Sequence, residues 1–346
     1  MAQQEMNAMQ RAQLFAMSTR QNMHMLAKES ASTAPSTLEF NLPKNRLLSS
    51  LLVRVTATVT AKGDGTATYK HHEIGKLLRR ISLDLNNGFM PFNLSGEEIS
   101  FMNMIDINGD VYSRKNTVLT LSTEGTENSI EFVFELPNTL NGRDATGLIL
   151  LQNDQTNVRL TLDIGNLSEF IKSPVTAMEL KKVEAEVMTT TYSIPTNAVA
   201  YPDLSVLKIT NGVTHSMPSA GQQIIKLSTG QIYRKILFKV IDENNDAMTT
   251  ADIVAPFELV FNQADSNYQI SADMLRILNR KTLGFDLPDG VYMFDFSNAG
   301  QFPNYGGTRD YIDSSALTEC WLRFNTTKKG KLDLITETLS RLVGNA

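Results

Sequence analysis

"LLVRVTATVT", residues 51–60, decides the fold class of this chain. Leu51, Val53, Val55, Ala57 and Val59 fall on one side of an extended backbone, and Arg54, Thr56, Thr58 and Thr60 fall on the other. A strand carries this period-two pattern when one face meets a core and the other meets water. The β-branched Val and Thr are stiff at χ1 and suit a pleated surface better than a helix. "GDG" (63–65) then turns the chain. Beyond it, Ile81, Leu83 and Leu85 alternate with Arg80, Ser82 and Asp84 ahead of "NNG" (86–88), where Asn and Gly tolerate the positive φ of a hairpin turn. Alternation predicts further strands at 130–136, 158–164 and 179–188. One helix interrupts them: Ser95 and Glu98 form a capping box before Ile99, Phe101, Met102 and Ile105.

"YSIPTNAVAYPD" (192–203) has little periodicity and two prolines, which place a boundary there. The same grammar then resumes. Strands are predicted at 232–241, closed by "DENND", and at 257–261, 291–296, 320–325 and 332–343. A helix capped by Ser271 runs through Met274, Leu275 and Leu278. No helical crossovers separate the strands, which argues against parallel βαβ units. The chain reads as all-β: two tandem jelly-roll β-sandwiches with an N-terminal helical arm and one short helix in each half. The expected divisions are 1–44 for the arm and lead-in, 45–192 for the first roll and 193–346 for the second.

Residues 1–34 contain no Gly and no Pro and are rich in Ala, Met and Gln. At 100° per residue Ala8, Met9, Ala12, Phe15, Ala16, Met23 and Leu26 gather on one side, the pattern of a weakly amphipathic helix that Pro35 stops. Its longest apolar run, 14–17, is too short for a secretion signal, and nothing later nears the ~20 apolar residues of a membrane span. The expectation is a soluble chain made in a reducing cytosol.

The 346 residues are 42 % hydrophobic, enough to build sizeable cores. With 32 basic and 37 acidic residues the net charge is −5, a poor footprint for gripping nucleic acid. The one cysteine, Cys320, excludes an internal disulfide and reads as a buried thiol beside Trp321. "DINGD" (106–110) begins like a calcium loop but has Val111 and Thr117 where Gly and Glu are needed; "DENNDAM" (242–248) fails in the same way at Ala247 and Ile253. Both read as polar turns. His71 and His72 are adjacent, so on a strand they point to opposite faces and cannot jointly hold a metal, and a solvated loop is expected there. "GDGTAT" and "KKGK" (328–331) lack the context of a phosphate loop, no Ser sits in a nucleophile elbow, and Glu97 and Glu98 suit a helix N-terminus. No catalytic residue, cofactor site or metal site emerges, and the chain does not read as an enzyme.

The order of a Met- and Gln-rich arm, a roll, a Pro-bearing link and a second roll resembles the double jelly roll major capsid protein of tectiviruses, tailless bacteriophages with an internal membrane. The likeness rests on "LLVRVTATVT", on "IEFVFELPNTLNGRDATGLILLQNDQTNVRLTLDIGN" (130–166) and on "RKTLGFDLPDGVYMFDF" (280–296). The resemblance implies a major capsid protein, made in the host bacterial cytoplasm and located in the virion capsid. It implies pseudo-hexagonal homotrimers that tile an icosahedral shell over an internal membrane. Minor capsid proteins are further expected partners, with no direct nucleic acid contact. The arm is expected at the membrane face, with Arg11, Arg20 and Lys28 near lipid head groups and Met6, Met9, Phe15 and Met17 against lipid or neighbouring subunits. The other reading of the arm is that it packs under its own trimer. The alternative function is a carbohydrate- or receptor-binding jelly-roll protein of a virion, with "FPNYGGTRDY" (302–311) as its surface; a two-domain cupin oxygenase comes third.

Overall fold

A computed structural model describes residues 8–86, 88–106, 116–140, 145–152, 157–201, 203–262, 265–297 and 311–341. The chain divides into two compact units. One holds the residues up to Met104, those from there to Lys208 other than 105–110, and Arg341; the other holds Ile105, Asp106 and Ile209–Ser340.

In the first unit the strands are β1 (Gln21–Met25), β2 (Glu29–Ala31), β3 (Ser36–Asn41), β4 (Leu47–Gly63), β5 (Thr66–Tyr69), β6 (Leu78–Leu85), β7 (Phe89–Leu94), β8 (Thr117–Thr120), β9 (Thr126–Pro137), β10 (Ile149–Leu150), β11 (Val158–Ile164) and β12 (Val175–Tyr192). Three helices accompany them: α1 (Ala8–Ser18), α2 (His71–Gly75) and α3 (Gly96–Asp106). Strand β4 is the spine. It pairs antiparallel with β12 on one edge, from Leu47 opposite Tyr192 to Gly63 opposite Val175, and with β9 on the other. A second sheet runs β7-β6-β11-β3. Val53, Val55, Ala57 and Val59 of β4 are buried, with Ile130, Phe132, Phe134 and Leu136 of β9 and Val183, Ala185 and Val187 of β12. On β4's other face Thr56, Thr58 and Thr60 are half-buried and Arg54 is exposed, so the alternation in the sequence is the alternation in space. The predicted capping box forms at α3: the Ser95 N–H donates to Glu98 Oε2 at 2.7 Å and the Glu98 N–H donates to Ser95 Oγ at 3.3 Å. Asn86 takes the positive φ, 57°, that the hairpin signal required.

The second unit contains β13 (Val206–Met217, in which the division falls), β14 (Gly221–Leu227), β15 (Ile232–Asp242), β16 (Phe257–Phe261), β17 (Asp265–Ile270), β18 (Val291–Asp295), β19 (Ile312–Asp313), β20 (Cys320–Thr326) and β21 (Gly330–Arg341). One sheet runs β18-β15-β21-β13, with the short β19 also paired to β15, and the other runs β14-β20-β16-β17. Aromatic rings join them. Phe238 of β15 meets Phe257 of β16 at 4.9 Å between centroids, and Phe257 in turn meets Tyr292 of β18 at 4.9 Å and Phe324 of β20 at 5.3 Å. Such pairs add about 0.5–1.5 kcal/mol each beyond their buried area. Helix α4 (Ala272–Leu283) closes one side, its Ser271 hydroxyl accepting the Met274 N–H and Gly284 ending it at φ 79°.

Two expectations are corrected. The helix of the arm stops at Ser18, and the chain then turns extended: β1 and β2 both pair with β12, so tertiary pairing along that strand's free edge overrides the helix propensity of Met, His and Ala. His71 and His72 lie on the short helix α2 rather than in a solvated loop; His71 is buried, its ring 4.8 Å from that of Phe132, and the His72 ring is 5.3 Å from that of Phe101.

Because Val55 lies between Ala185 and Phe132 with no exposure, Val55→Thr places a hydroxyl where no water reaches and costs about 1–3 kcal/mol, whereas Thr56→Val on the other face changes stability by less than about 0.5 kcal/mol. Urea unfolding of the two variants measures both; equal costs would mean the two faces are not distinct.

Candidate assembly surface

Helix α1 of the arm is seated by an aromatic residue. Phe15 is only 6 % exposed and packs with Leu47 and Leu148, while Tyr192, Leu150, Ile194 and Leu204 surround that cluster. Its ring meets Tyr192 edge-on at 5.5 Å. At the end of helix α1 the Thr19 N–H and hydroxyl both donate to the Phe15 carbonyl, at 3.0 and 2.7 Å. Arg20 and Ser193 then clasp each other: the Arg20 N–H donates to Ser193 Oγ and the Ser193 N–H to the Arg20 carbonyl, both at 2.9 Å.

Among the residues expected to face a membrane, the structure separates three kinds. Phe15 points inward and serves as the anchor, so the expectation that it lies against lipid or a neighbour is corrected. Met17 is 88 % exposed and Arg20 is exposed. Lys28 is ion-paired with Glu186 of β12, which holds its ammonium above the ordinary lysine value. Met9 and Arg11 lie on α1, and Met6 lies outside the described residues. Glu186 also meets Arg54 at 3.5 Å, and Arg54 reaches Glu131 of β9 at 2.6 Å, so charges of alternating sign cross the outer face of the sheet. Exposed ladders of this kind fix side-chain positions more than they stabilise.

Buried charge is concentrated in the second unit. Arg234 pairs with Glu337, Lys235 pairs with Asp106, and Lys235 is also 3.7 Å from Glu337. Burial pushes Lys235 down, but Asp106 and Glu337 outweigh it and keep the ammonium charged. Asp106, the first residue of the "DINGD" stretch, thus ends α3 and serves this network; 107–110 lie outside the described residues. In "DENNDAM" the Asp242 carboxylate accepts the N–H groups of Asn244 and Asp246 at 2.9 and 3.0 Å, the geometry of a polar turn. Cys320 is buried and its thiol is pushed up to about 11 by desolvation, which leaves it a poor nucleophile. Among the described residues no group of three or more His, Cys, Asp and Glu side chains is placed to hold a metal ion, and no helix is long and apolar enough to cross a membrane. Of the stretch 302–311 only Tyr311 is described, where its hydroxyl accepts from Arg234 Nε at 2.9 Å.

No protein-family model matches the sequence, and no curated protein does. Solved structures do match. The chain is similar to the major capsid protein of Sulfolobus turreted icosahedral virus at TM-score 0.69 and 14 % identity, covering 93 % of this chain and 97 % of that one. It is similar to the PBCV-1 virus capsid protein at TM-score 0.63 and 11 % identity, covering 93 % and 94 %. It is also similar to the major capsid protein of bacteriophage PM2 at TM-score 0.57 and 10 % identity, covering 94 % and 100 %. At these identities the likeness is one of fold. The chain has the double jelly roll fold, as the sequence pattern and the resemblance led one to expect.

If Phe15 holds the arm, Phe15→Ala makes the chain around residues 8–20 a ready target for limited proteolysis while the main unfolding midpoint stays nearly unchanged, and Lys28→Ala alters neither. Digestion followed by mass spectrometry checks this. Equal resistance of Phe15→Ala and the native chain would show that another contact secures the helix.

Proposed function

We propose that this chain is a major capsid protein, associating into pseudo-hexagonal homotrimers that tile an icosahedral shell over an internal membrane. The observation that supports it most is the fold match along 93 % of the chain to viral coat proteins. Two rolls per chain and three chains per ring give six similar rolls about one axis, an outline close to a hexagon. The interior chemistry suits such a building block: its densest buried charges neutralise one another and its thiol is sequestered. On this reading the protein is structural rather than catalytic, resides in the virion after synthesis in the host cytoplasm, and meets minor capsid proteins at its edges. Its working parts are 1–44 as arm and lead-in, 45–192 as the first roll and 193–346 as the second.

The arm divides its surface between two tasks. Helix α1, which carries Met9, Arg11 and the exposed Met17, faces the membrane, whereas the extended stretch after Arg20 faces protein. One basic residue near an anionic surface contributes about 1 kcal/mol, so a single copy adheres weakly and a lattice of copies adheres through multivalency.

Light scattering of the purified full chain is expected to give three times the 38.4 kDa chain mass. A monomer at micromolar concentration contradicts the reading. Met17→Asp should retain that mass yet lose flotation with anionic vesicles; unchanged flotation would remove the lipid role of α1.

A further inference from the structure

In the second unit an amine and two carboxylates are held together away from water. Across β18, β15 and β21 the residues Asp295, Lys235 and Glu337 stand opposite one another in one row. Met293, Leu237 and Ile335, each 1 % exposed, form the next row on the same face. The Lys235 side chain is 3 % exposed, and its Nζ is in contact with Asp106 Oδ1 and 3.7 Å from Glu337 Oε1. Glu337 is as deeply buried, and Asp106 is 16 % exposed. Asp295 has another task, its Oδ1 accepting both the N–H and the hydroxyl of Ser297, at 2.8 and 2.6 Å.

Ions in such a place have given up their hydration, whereas an amide carries no charge and needs only hydrogen bonds. The local charge balance permits the exchange. Arg234 and Lys235 face Glu337 and Asp106, and if Lys235 and Asp106 lose their charges together, Arg234 remains paired with Glu337. Asp106 is also the last residue of α3, where the partial negative charge of the helix terminus repels an anion.

We infer that Lys235 and Asp106 condense, once per chain, into an internal isopeptide bond, with Glu337 relaying the proton. Ammonium and carboxylate are the resting forms, and the reaction draws on the pair after one proton has crossed from Nζ to the Asp106 carboxylate. The neutral amine attacks Cγ: the N–C bond forms and the carbonyl π electrons move to oxygen, an oxyanion stabilised by the Arg234 charge, which acts on Asp106 as well as on Glu337. Glu337 takes a proton from the nitrogen and returns it to the hydroxyl on Cγ, which departs as water while the C=O bond re-forms. One ammonium and one carboxylate become one amide and one water, with no oxidant or cofactor. Aligned groups held in contact reach effective concentrations of about 10⁵–10⁸ M, and the exclusion of water slows hydrolysis of the product. The bond joins residues 129 positions apart and so closes a covalent loop, the constraint that a disulfide supplies elsewhere and that Cys320, the one cysteine, cannot supply within this chain. The inference goes beyond the coat-protein reading and does not depend on it.

Mass spectrometry of the purified full chain, incubated at neutral pH and then denatured, tests it. The expected mass is that of the sequence less one water, and trypsin should release residues 81–114 joined to 235–239, uncut after Lys235. Lys235→Arg keeps a cation opposite Asp106 but removes the nucleophilic amine. That variant should retain the native far-ultraviolet circular dichroism, show its full sequence mass and unfold at lower urea. Glu337→Gln should form the link at least tenfold more slowly. A native chain of full sequence mass, with 81–114 released alone and cleavage after Lys235, overturns the inference and leaves the coat reading untouched. A linked chain that stays monomeric supports the bond while the coat reading falls.

Discussion

Strand β4 has a neighbour on both edges for most of its 17 residues, β12 along the whole of it and β9 from Ser50 to Ala61. Its N–H and C=O groups are thereby satisfied on both edges, and its inward Val and Ala side chains have a core to enter. A slip of one residue would exchange the valine face for the threonine face, so the register is held by burial itself. The first unit is arranged around this constraint. Leu47 at the start of β4 forms the floor of the Phe15 seat, and β12, aligned by β4, offers its other edge to β1. Irregularities between Val175 and Ala177, Leu180 and Lys182, and Thr190 and Thr191 let the long strand bend without changing which face is inside. The exposure of Met23 and Met25 is therefore a consequence of β4, two strands away.

The second unit reaches the same architecture with different means. Its two sheets meet through Phe238, Phe257, Tyr292 and Phe324, large rings that span the gap between layers. Where Arg234 and Lys235 enter the interior in succession, Glu337 and Asp106 accompany them. Burying charge is costly unless it is paired, and the pairing joins β15, β21 and the end of α3 into one network. Removing any one partner would leave an uncompensated charge in the interior, so the network holds these elements to one arrangement.

The elements that were legible in the sequence are those with one wet face. Strands 158–164 and 320–325 and the caps at Ser95 and Ser271 stand where pattern and local chemistry put them, because those signals lie within a few residues. Strand β14 was missed because its inward row begins with Gln223, a buried amide that breaks the apolar alternation. Strand β6 carries the alternation, yet Ser82 and Asp84 on its polar side are buried as well, which the pattern alone does not reveal. The arm misled because helix propensity is local whereas the edge of β12 lies more than 150 residues away. For the same reason the burial of Phe15 was invisible: its partners Leu47, Leu148 and Tyr192 are brought together only by the fold. Helix α4 shows the remaining limit. Periodicity revealed Met274, Leu275 and Leu278 as apolar, but only the structure tells which of them faces water.

The whole account, from the seat of the arm to the exposure of Met23 and Met25, descends from a doubly paired β4 with one face in the core. Amide hydrogen exchange of the native chain, resolved to single residues, measures that state directly. The account predicts that the amides of Leu51–Ala61 are among the slowest to exchange, released only by unfolding of the unit, while those of β1 and β5 open far sooner. Exchange along β4 as fast as in β1 would contradict it.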